Sequence, residues 1–318
     1  MRILFTADIH IKLGQKGVPT EWAKNRFNLL WKVLKEKQRE SDLFIVGGDV
    51  FDKLPNMEEL ETYFDLVSSC VVETIIIPGN HEATKKNATF LSNLKQVTAR
   101  LNPLVRIIDN FETYKDIDFI PYNKLKEWEK NPELFKITGR ILVSHFRGEI
   151  PPHVKPEIDL KLFQDWNIVL AGDLHSHENS QLNIIYPGSP ITTSFHRNFV
   201  DTGVVVLDSE TLDYTFQKLE LPQLLRKTII AGDPMPATEY HHTVYEVTGD
   251  MSELANMEDN DLLDKKLVKR NTDSALILDS EMSIGEEVKE YLTYILQLDE
   301  KTIEEALKEL QNNIGALS

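Results

Sequence analysis

Residues 1–10 read MRILFTADIH: an apolar run that breaks into an aspartate and a histidine two positions apart. A run of that length bounded by polar residues has the signature of a buried strand, so Asp8 and His10 would leave its C-terminal end. The same pattern recurs. LFIVG precedes Gly48-Asp49, TIIIP precedes Gly79-Asn80-His81-Glu82, ILV precedes Ser144-His145, and IVLAG precedes Gly172-Asp173-Leu174-His175. Between the first two runs, Phe27, Leu30, Trp31 and Leu34 recur at helical spacing, and residues 58–67 and 89–101 carry the pattern of further helices. Helical crossovers imply parallel strands, and in an open α/β sheet ligands gather at the carboxyl ends of the strands. The polar clusters are therefore expected along one edge.

From Val143 onward the pattern is richer in strands, with candidates at 168–171, 182–186, 203–207 and 214–219. Two sheets flanked by helices accommodate it. After Leu221 a proline-bearing junction, Gly232-Asp233-Pro234-Met235-Pro236, precedes candidate strands at 243–247 and 275–278 around an acidic helix. Two amphipathic stripes close the chain: Val288, Leu292 and Ile295, then Ile303, Ala306, Leu307, Leu310 and Ile314. Thr302 with Glu305 has the form of a capping box for the last helix. The expected fold class is α/β: a two-sheet α/β/β/α sandwich over 1–221, a small α/β cap domain over 222–283 and a C-terminal helical segment over 284–318.

Thirty-five basic against 51 acidic residues give a net charge of −16 among 318 residues, which opposes indiscriminate binding of polyanions. Part of that excess lies in 253–264 and in the tail, away from the motifs. No apolar run is long enough to span a bilayer, and a candidate ligand at position 8 leaves no room for a leader peptide, so no membrane association and a cytoplasmic location are expected. Cys70, the single cysteine, reads as packing, and His153, His196, His241 and His242 match no motif and read as surface histidines. Oxygen and nitrogen donors without a thiolate suit hard or borderline divalent ions such as Mn²⁺.

The five motifs in this order resemble the calcineurin-like metallophosphoesterase superfamily and, within it, the SbcD-type nucleases of double-strand-break repair and their phage counterparts. The resemblance covers roughly the first two hundred residues and is strongest in Tyr186-Pro-Gly-Ser-Pro-Ile-Thr-Thr-Ser-Phe195, which matches an SbcD-type YPGS segment followed by TSF. It implies two divalent metal ions, Mn²⁺ preferred over Mg²⁺, one held by Asp8, His10, Asp49 and His175 and the other by Asp49, Asn80, His145 and Asp173. Asp49 is the bridge. A hydroxide between the ions would attack phosphorus. His81 resembles the family's catalytic histidine, which protonates the leaving oxygen, and Asp52 is expected to accept its other ring proton.

SbcD-type proteins carry Gly-His-x-His where this chain has Gly172-Asp173-Leu174-His175, so a carboxylate replaces an imidazole, with His177 the alternative donor. Arg147, Arg197, Lys12, Lys16 and Lys85 are candidates for phosphate contacts with DNA, weighed evenly against ordinary surface charge. The resemblance further implies a homodimer, formed through helices carrying Leu60, Phe64, Val67, Phe90, Leu94 and Leu101, and docking of the C-terminal helices on an SbcC-type coiled-coil ATPase. Two rivals remain: a general metallophosphoesterase acting on small phosphodiesters or phosphoproteins, and a binding scaffold weakened in turnover by Asp173. The first lacks the arginine-bearing sequence of phosphoprotein phosphatases, because Asp49 is followed by VFDKL.

Overall fold

The computed structural model describes residues 1–85, 88–238, 240–258, 260–268, 283–296 and 298–314. The chain opens with β1 (Arg2–Thr6), α1 (Thr20–Gln38), β2 (Leu43–Val46), α2 (Met57–Ser69) and β3 (Glu73–Ile76). A short ribbon of β4 (Ala83–Lys85) and β5 (Ala88–Thr89) leads into α3 (Phe90–Leu101) and β6 (Val105–Ile107). Next come β7 (Glu112–Tyr114), β8 (Ile117–Ile120), α4 (Tyr122–Lys130), β9 (Ile141–His145), β10 (Ile168–Gly172) and β11 (Ile184–Ile185). They are followed by β12 (Gly203–Asp208), β13 (Tyr214–Lys218), β14 (Leu224–Ile230), β15 (His242–Gly249), α5 (Met251–Ala255), β16 (Leu263–Val268), α6 (Ile284–Glu290) and α7 (Glu300–Ile314).

Two sheets carry the architecture. One runs β13-β12-β1-β2-β3-β6, the other β11-β10-β9-β8-β7. In the first, β1, β2, β3 and β6 are mutually parallel, while β12 returns antiparallel to β1. In the second, β8 to β11 are parallel and β7 closes the edge in the opposite sense. The period-2 alternation of side chains explains how both faces of each sheet are covered. Ile3, Phe5, Ile45 and Ile75 point between the sheets to meet Phe119, Val143 and Leu170. Leu4, Phe44 and Ile76 point outward and are covered by Phe27, Leu30 and Trp31 of α1 and Tyr63 and Leu66 of α2. On the far side Leu142 and Val169 lie under Leu125 and Trp128 of α4, with Phe163 and Trp166. The layers are α/β/β/α, as expected from the sequence.

Several local expectations are corrected. Leu182 is not strand but a positive-φ turn residue, 78% exposed, because the Gln181–Ile184 bridge closes a turn there. The last helix is capped by Asp299, whose carboxylate accepts from Thr302 N at 3.1 Å, not by Thr302. His242 is buried, its Nε2–H donating to Gly17 O at 2.5 Å and its ring lying 5.3 Å from the Trp22 ring. Of the side chains weighed for a dimer surface, Val67 and Leu94 are buried, Leu60, Phe64 and Phe90 pack against the helix-covered core, and Leu101 is exposed. Cys70 is packed, its thiol donating to Leu66 O.

The chain divides into two compact units, one of Met1–Ile229, Asp233–Glu246 and Asp259–Lys265, the other of Ile230–Gly232, Val247–Glu258 and Lys266–Ser318. A three-stranded sheet runs β14-β15-β16. The candidate strand at 275–278 and the side chains of Ile295 and Ile314 lie outside the described residues. Phe163 stacks on Phe146 at 4.2 Å with an interplanar angle of 5° and is fully buried. Phe163→Ala should therefore cost about 3–5 kcal/mol, measured as a lowered urea midpoint with an unchanged slope.

Candidate metal centre

Every donor leaves, or ends, a strand. Asp8 and His10 follow β1, Asp49 follows β2, Asn80 and His81 follow β3, His145 is the last residue of β9, and Asp173 and His175 follow β10. Main-chain bonds join these loops. Asp8 N donates to Gly48 O at 3.1 Å, His10 N to Asp49 O at 2.9 Å, and Phe146 N to Gly172 O at 3.2 Å. Asp173 N reaches across to the Asp8 carboxylate, at 3.0 and 3.1 Å from its two oxygens, and so ties the second sheet to the first.

Four of these residues sit in the left-handed region: Asp8 (φ 55°), His10 (49°), Asp49 (50°) and Asp173 (100°). Each such conformation costs about 1–3 kcal/mol and persists only where its surroundings impose it. Gly79 is required for a different reason. A Cβ there would fall on the Asp49 carboxylate and meet His145 Cε1 at 2.8 Å.

The side chains converge with their acceptors facing one another. His10 Nε2 and His175 Nε2 are 3.1 Å apart, and with Asp8 they form a group whose ligand atoms all lie within 4.8 Å of one another. Asp8, Asp49 and His145 form a second such group, and His10, Asp49 and His81 a third. Asp49 Oδ2 stands between them, 3.6 Å from His10 Nε2, 3.4 Å from His145 Nε2 and 3.9 Å from His81 Nε2. Asn80 Oδ1 points into the same space, 2.9 Å from His145 Nε2. Turning its amide would instead let the NH₂ donate to Asp49 at 2.8 and 3.1 Å. A cation makes that turn unnecessary, since it satisfies oxygen and imidazole lone pairs together. Asp173 Oδ1 lies furthest out, 3.9 Å from His145 Nε2. His177 is no substitute for it, because its ring is held by Tyr186 O at 2.6 Å and stacked on Phe216.

Backbone and hydroxyl groups set the orientation of the imidazoles. His145 Nδ1 is 2.8 Å from Gly47 O, which can only accept, so Nε2 is the nitrogen turned toward Asp49. Thr193 Oγ1 holds His175 Nδ1 at 3.1 Å. His81 Nδ1 donates to a carbonyl at 2.5 Å, but that carbonyl is the main chain of Asp52, not the expected carboxylate. The Asp52 carboxylate instead pairs with Lys12 Nζ at 2.9 Å and lies 3.8 Å from His10 Nδ1.

The charge balance favours a cation. Burial, reinforced by Asp49 and Asp173, holds the Asp8 carboxyl well above the ordinary carboxylate range, and burial likewise raises Asp173. Burial lowers His10 to about 3 and lowers His175, so both imidazoles are neutral lone-pair donors. For His145, burial is outweighed by the charges of Asp49, Asp8 and Asp173, which raise it to about 10. A divalent ion supplies the positive charge that these buried carboxylates lack. Carboxylate and amide oxygens with neutral imidazole nitrogens, and no thiolate, fit such an ion.

Glu82, quoted in the third motif but given no role, proves central. Buried among the loops, it accepts from Gly79 N at 2.8 Å, Phe51 N at 2.8 Å and Asp49 N at 3.2 Å. Burial and the nearby Asp49 charge push it up to about 7. Its place beside Asn80 and His81 was the available signal, but a carboxylate that braces backbone looks the same in sequence as one that binds metal. The phosphate-contact candidates divide. Arg147 is exposed and its charge acts on Asp173, Lys16 is exposed, and Lys12 is engaged by Asp52. Arg197 is already bound, to Glu246 Oε2 at 2.5 Å and Thr228 Oγ1 at 2.7 Å. The Lys85 side chain lies outside the described residues.

Paired acidic and imidazole donors at the carboxyl edges of two facing sheets define a metal-dependent phosphoesterase. Residues 1–206 match the family model described as calcineurin-like phosphoesterase, and the chain belongs to that family. It is 39% identical over 318 residues to the protein named probable exonuclease subunit 1 of Escherichia phage T5, an alignment covering 96% of this chain and 97% of the relative. Two proteins bearing phosphoesterase names are more distant: one of Invertebrate iridescent virus 6, 25% identical over 70% of this chain and 83% of its own, and one of Invertebrate iridescent virus 3, 22% identical over 73% and 70%. No described helix is long and apolar enough to cross a membrane.

Two outcomes follow from the geometry. Glu82→Gln places an amide NH₂ or a single acceptor against three N–H donors and should weaken metal affinity about 10–100-fold, read by titration calorimetry. Asp8 and Asp173 are raised and His145 is raised to about 10, so each holds its proton above its ordinary value until a cation displaces it. Mn²⁺ binding should accordingly release protons and keep tightening as pH rises toward about 10, where His145 loses its own proton, measured in buffers of different ionisation enthalpy.

Proposed function

We propose that this protein is the nuclease subunit of an SbcD-type recombination and repair complex, hydrolysing DNA phosphodiester bonds as an exonuclease, with endonuclease action a further capacity of the same site. The observation that carries the reading is Asp49, whose Oδ2 stands within 4 Å of three imidazole nitrogens from three different strand ends. A carboxylate so placed would suit sharing between two cations, and ions about 3.5–4 Å apart can clamp the attacking and leaving oxygens of a phosphoryl transfer. One ion would be held by Asp8, His10, Asp49 and His175, the other by Asp49, Asn80, His145 and Asp173, with Mn²⁺ preferred. When bound, the metals supply charge neutralisation at phosphorus and an activated water.

The chain's own residues do the rest. His81, its side chain 38% exposed and its Nδ1–H fixed on the Asp52 carbonyl, turns Nε2 toward the site, where in the imidazolium form it would give its Nε2 proton to the leaving oxygen and be left neutral. Asp52 acts on Lys12 and His10 and so positions the loop. Arg147, Lys12, Lys16 and Lys85 would meet phosphates flanking the scissile bond.

A DNA substrate and assembly with a second subunit are supported by the exonuclease-subunit name of the phage T5 relative, whose alignment spans nearly the whole chain. Residues 222–283 would form the cap domain on DNA. Residues 284–318 would dock on an SbcC-type ATPase, and the exposure of Tyr291, Leu296 and Leu298 suits such docking. A homodimer acting in the cytoplasm of the host cell completes the proposal.

Purified protein with Mn²⁺, assayed on duplex DNA, bis(p-nitrophenyl) phosphate and a phosphomonoester, tests it. Asp49→Asn should lose Mn²⁺ uptake and DNA cleavage together. His81→Ser should keep Mn²⁺ uptake while turnover falls about 10²-fold or more. Full activity in His81→Ser, or cleavage of the monoester alone, overturns the assignment.

A further inference from the structure

The segment Tyr186–Phe195, the most distinctive stretch of the sequence, supplies none of the proposed metal ligands. It builds a cavity instead. A pocket of about 560 Å³ lies beside His175, lined by Ser189, Ile191, Thr193 and Ser194 of this segment and by Phe199. Its size lies in the range of about 300–1,000 Å³ usual for small-ligand sites. The segment is tied to the metal loop by Ser189 N, which donates to His175 O at 3.2 Å, and by the Thr193 contact to His175 Nδ1.

Three observations define what the pocket would take. Ser189 is 3% exposed, lines the cavity and has a hydroxyl without any hydrogen-bond partner among the described residues. A buried hydroxyl left unpaired is rare and awaits a group that the folded chain does not supply. Phe199 is the opposite case, a large aromatic ring 64% exposed at the rim, supported edge-on by His241 at 4.8 Å. Among the described residues no lysine or arginine lines the cavity, whereas Glu178 and Asp201 do. An anionic phosphate is therefore repelled, and a neutral planar ring carrying N–H and carbonyl groups is matched. We propose that this pocket receives one nucleobase of the DNA strand, stacked on Phe199 and hydrogen-bonded to Ser189 Oγ, and so sets the position of the phosphate presented to the metals. The proposal rests on the nuclease reading for its ligand.

The test reads binding, not turnover. Single-stranded oligonucleotides with phosphorothioate linkages, carrying one abasic spacer moved through successive terminal positions, are titrated in Mn²⁺ with fluorescence anisotropy. One position should lose about tenfold in affinity, the scale of one stacked base. Phe199→Ala should show the same loss on the unmodified strand and almost none on the strand with the spacer there, while Phe199→Trp keeps wild-type binding. Ser189→Ala should weaken binding of the unmodified strand while raising the thermal midpoint, because an unsatisfied hydroxyl is removed; a merely structural serine would lower it. Spacer and Phe199→Ala losses that multiply, absence of any sensitive position, or absence of binding overturns the pocket assignment. If unmodified duplex DNA is not cleaved by the wild type in Mn²⁺ while the binding pattern holds, the enzymatic reading fails and the pocket stands.

Discussion

The structure depends on a crowd of hydrogen-bond acceptors with too few donors among them. Asp8, Asp49 and Asn80 oxygens and the Nε2 atoms of His10, His145 and His175 all face one volume, and His10 and His175 approach nitrogen to nitrogen at 3.1 Å. Left to the protein's own charges, the cluster would have to protonate, which is why Asp8 and His145 sit so far above their usual values. Divalent cations remove that conflict, and binding free energy then supports a geometry that folding alone would disfavour.

The rest of the architecture can be understood as the means of holding that crowd in place. Loops from two sheets have to meet, so each sheet is covered on both faces and the inter-sheet core of Ile3, Phe5, Ile45, Phe119, Val143 and Leu170 fixes their separation. Left-handed backbone at Asp8, His10, Asp49 and Asp173 turns the side chains inward at a local cost. Glu82 offsets part of it by collecting three backbone N–H groups from two loops. Asp173 fits the same frame. Its main-chain N–H serves Asp8 and its carboxylate remains at the edge of the cluster, so it adds charge without disturbing the first group.

Basic residues follow a different rule. In sequence Arg197 is as much a candidate phosphate contact as an ordinary surface charge, but the fold brings the buried Glu246 to it, and Arg226 and Lys265 gather around the same carboxylate. Substrate recognition near the metals therefore has to draw on more than cationic side chains, and the exposed ring of Phe199 beside a cavity lined by no lysine or arginine among the described residues is well placed for it.

Strand ends, metal-type donors and helical crossovers were legible in the chain because each is local: a buried strand announces itself by its apolar run, and a loop ligand by the polar residues that follow it. The layer order was legible too, since strands covered on both faces have no polar alternation. Four things were decided only by tertiary packing. His81 is oriented by the Asp52 carbonyl, a group every residue possesses and no sequence pattern marks. Glu82 braces backbone in place of binding metal, a choice set by which N–H groups surround it. His242 is buried because Gly17 and Trp22 come from far along the chain to cover it. And Asp49 stands between imidazoles from three strand ends because two sheets fix those ends within a few ångströms, a distance that arises only once both are packed face to face.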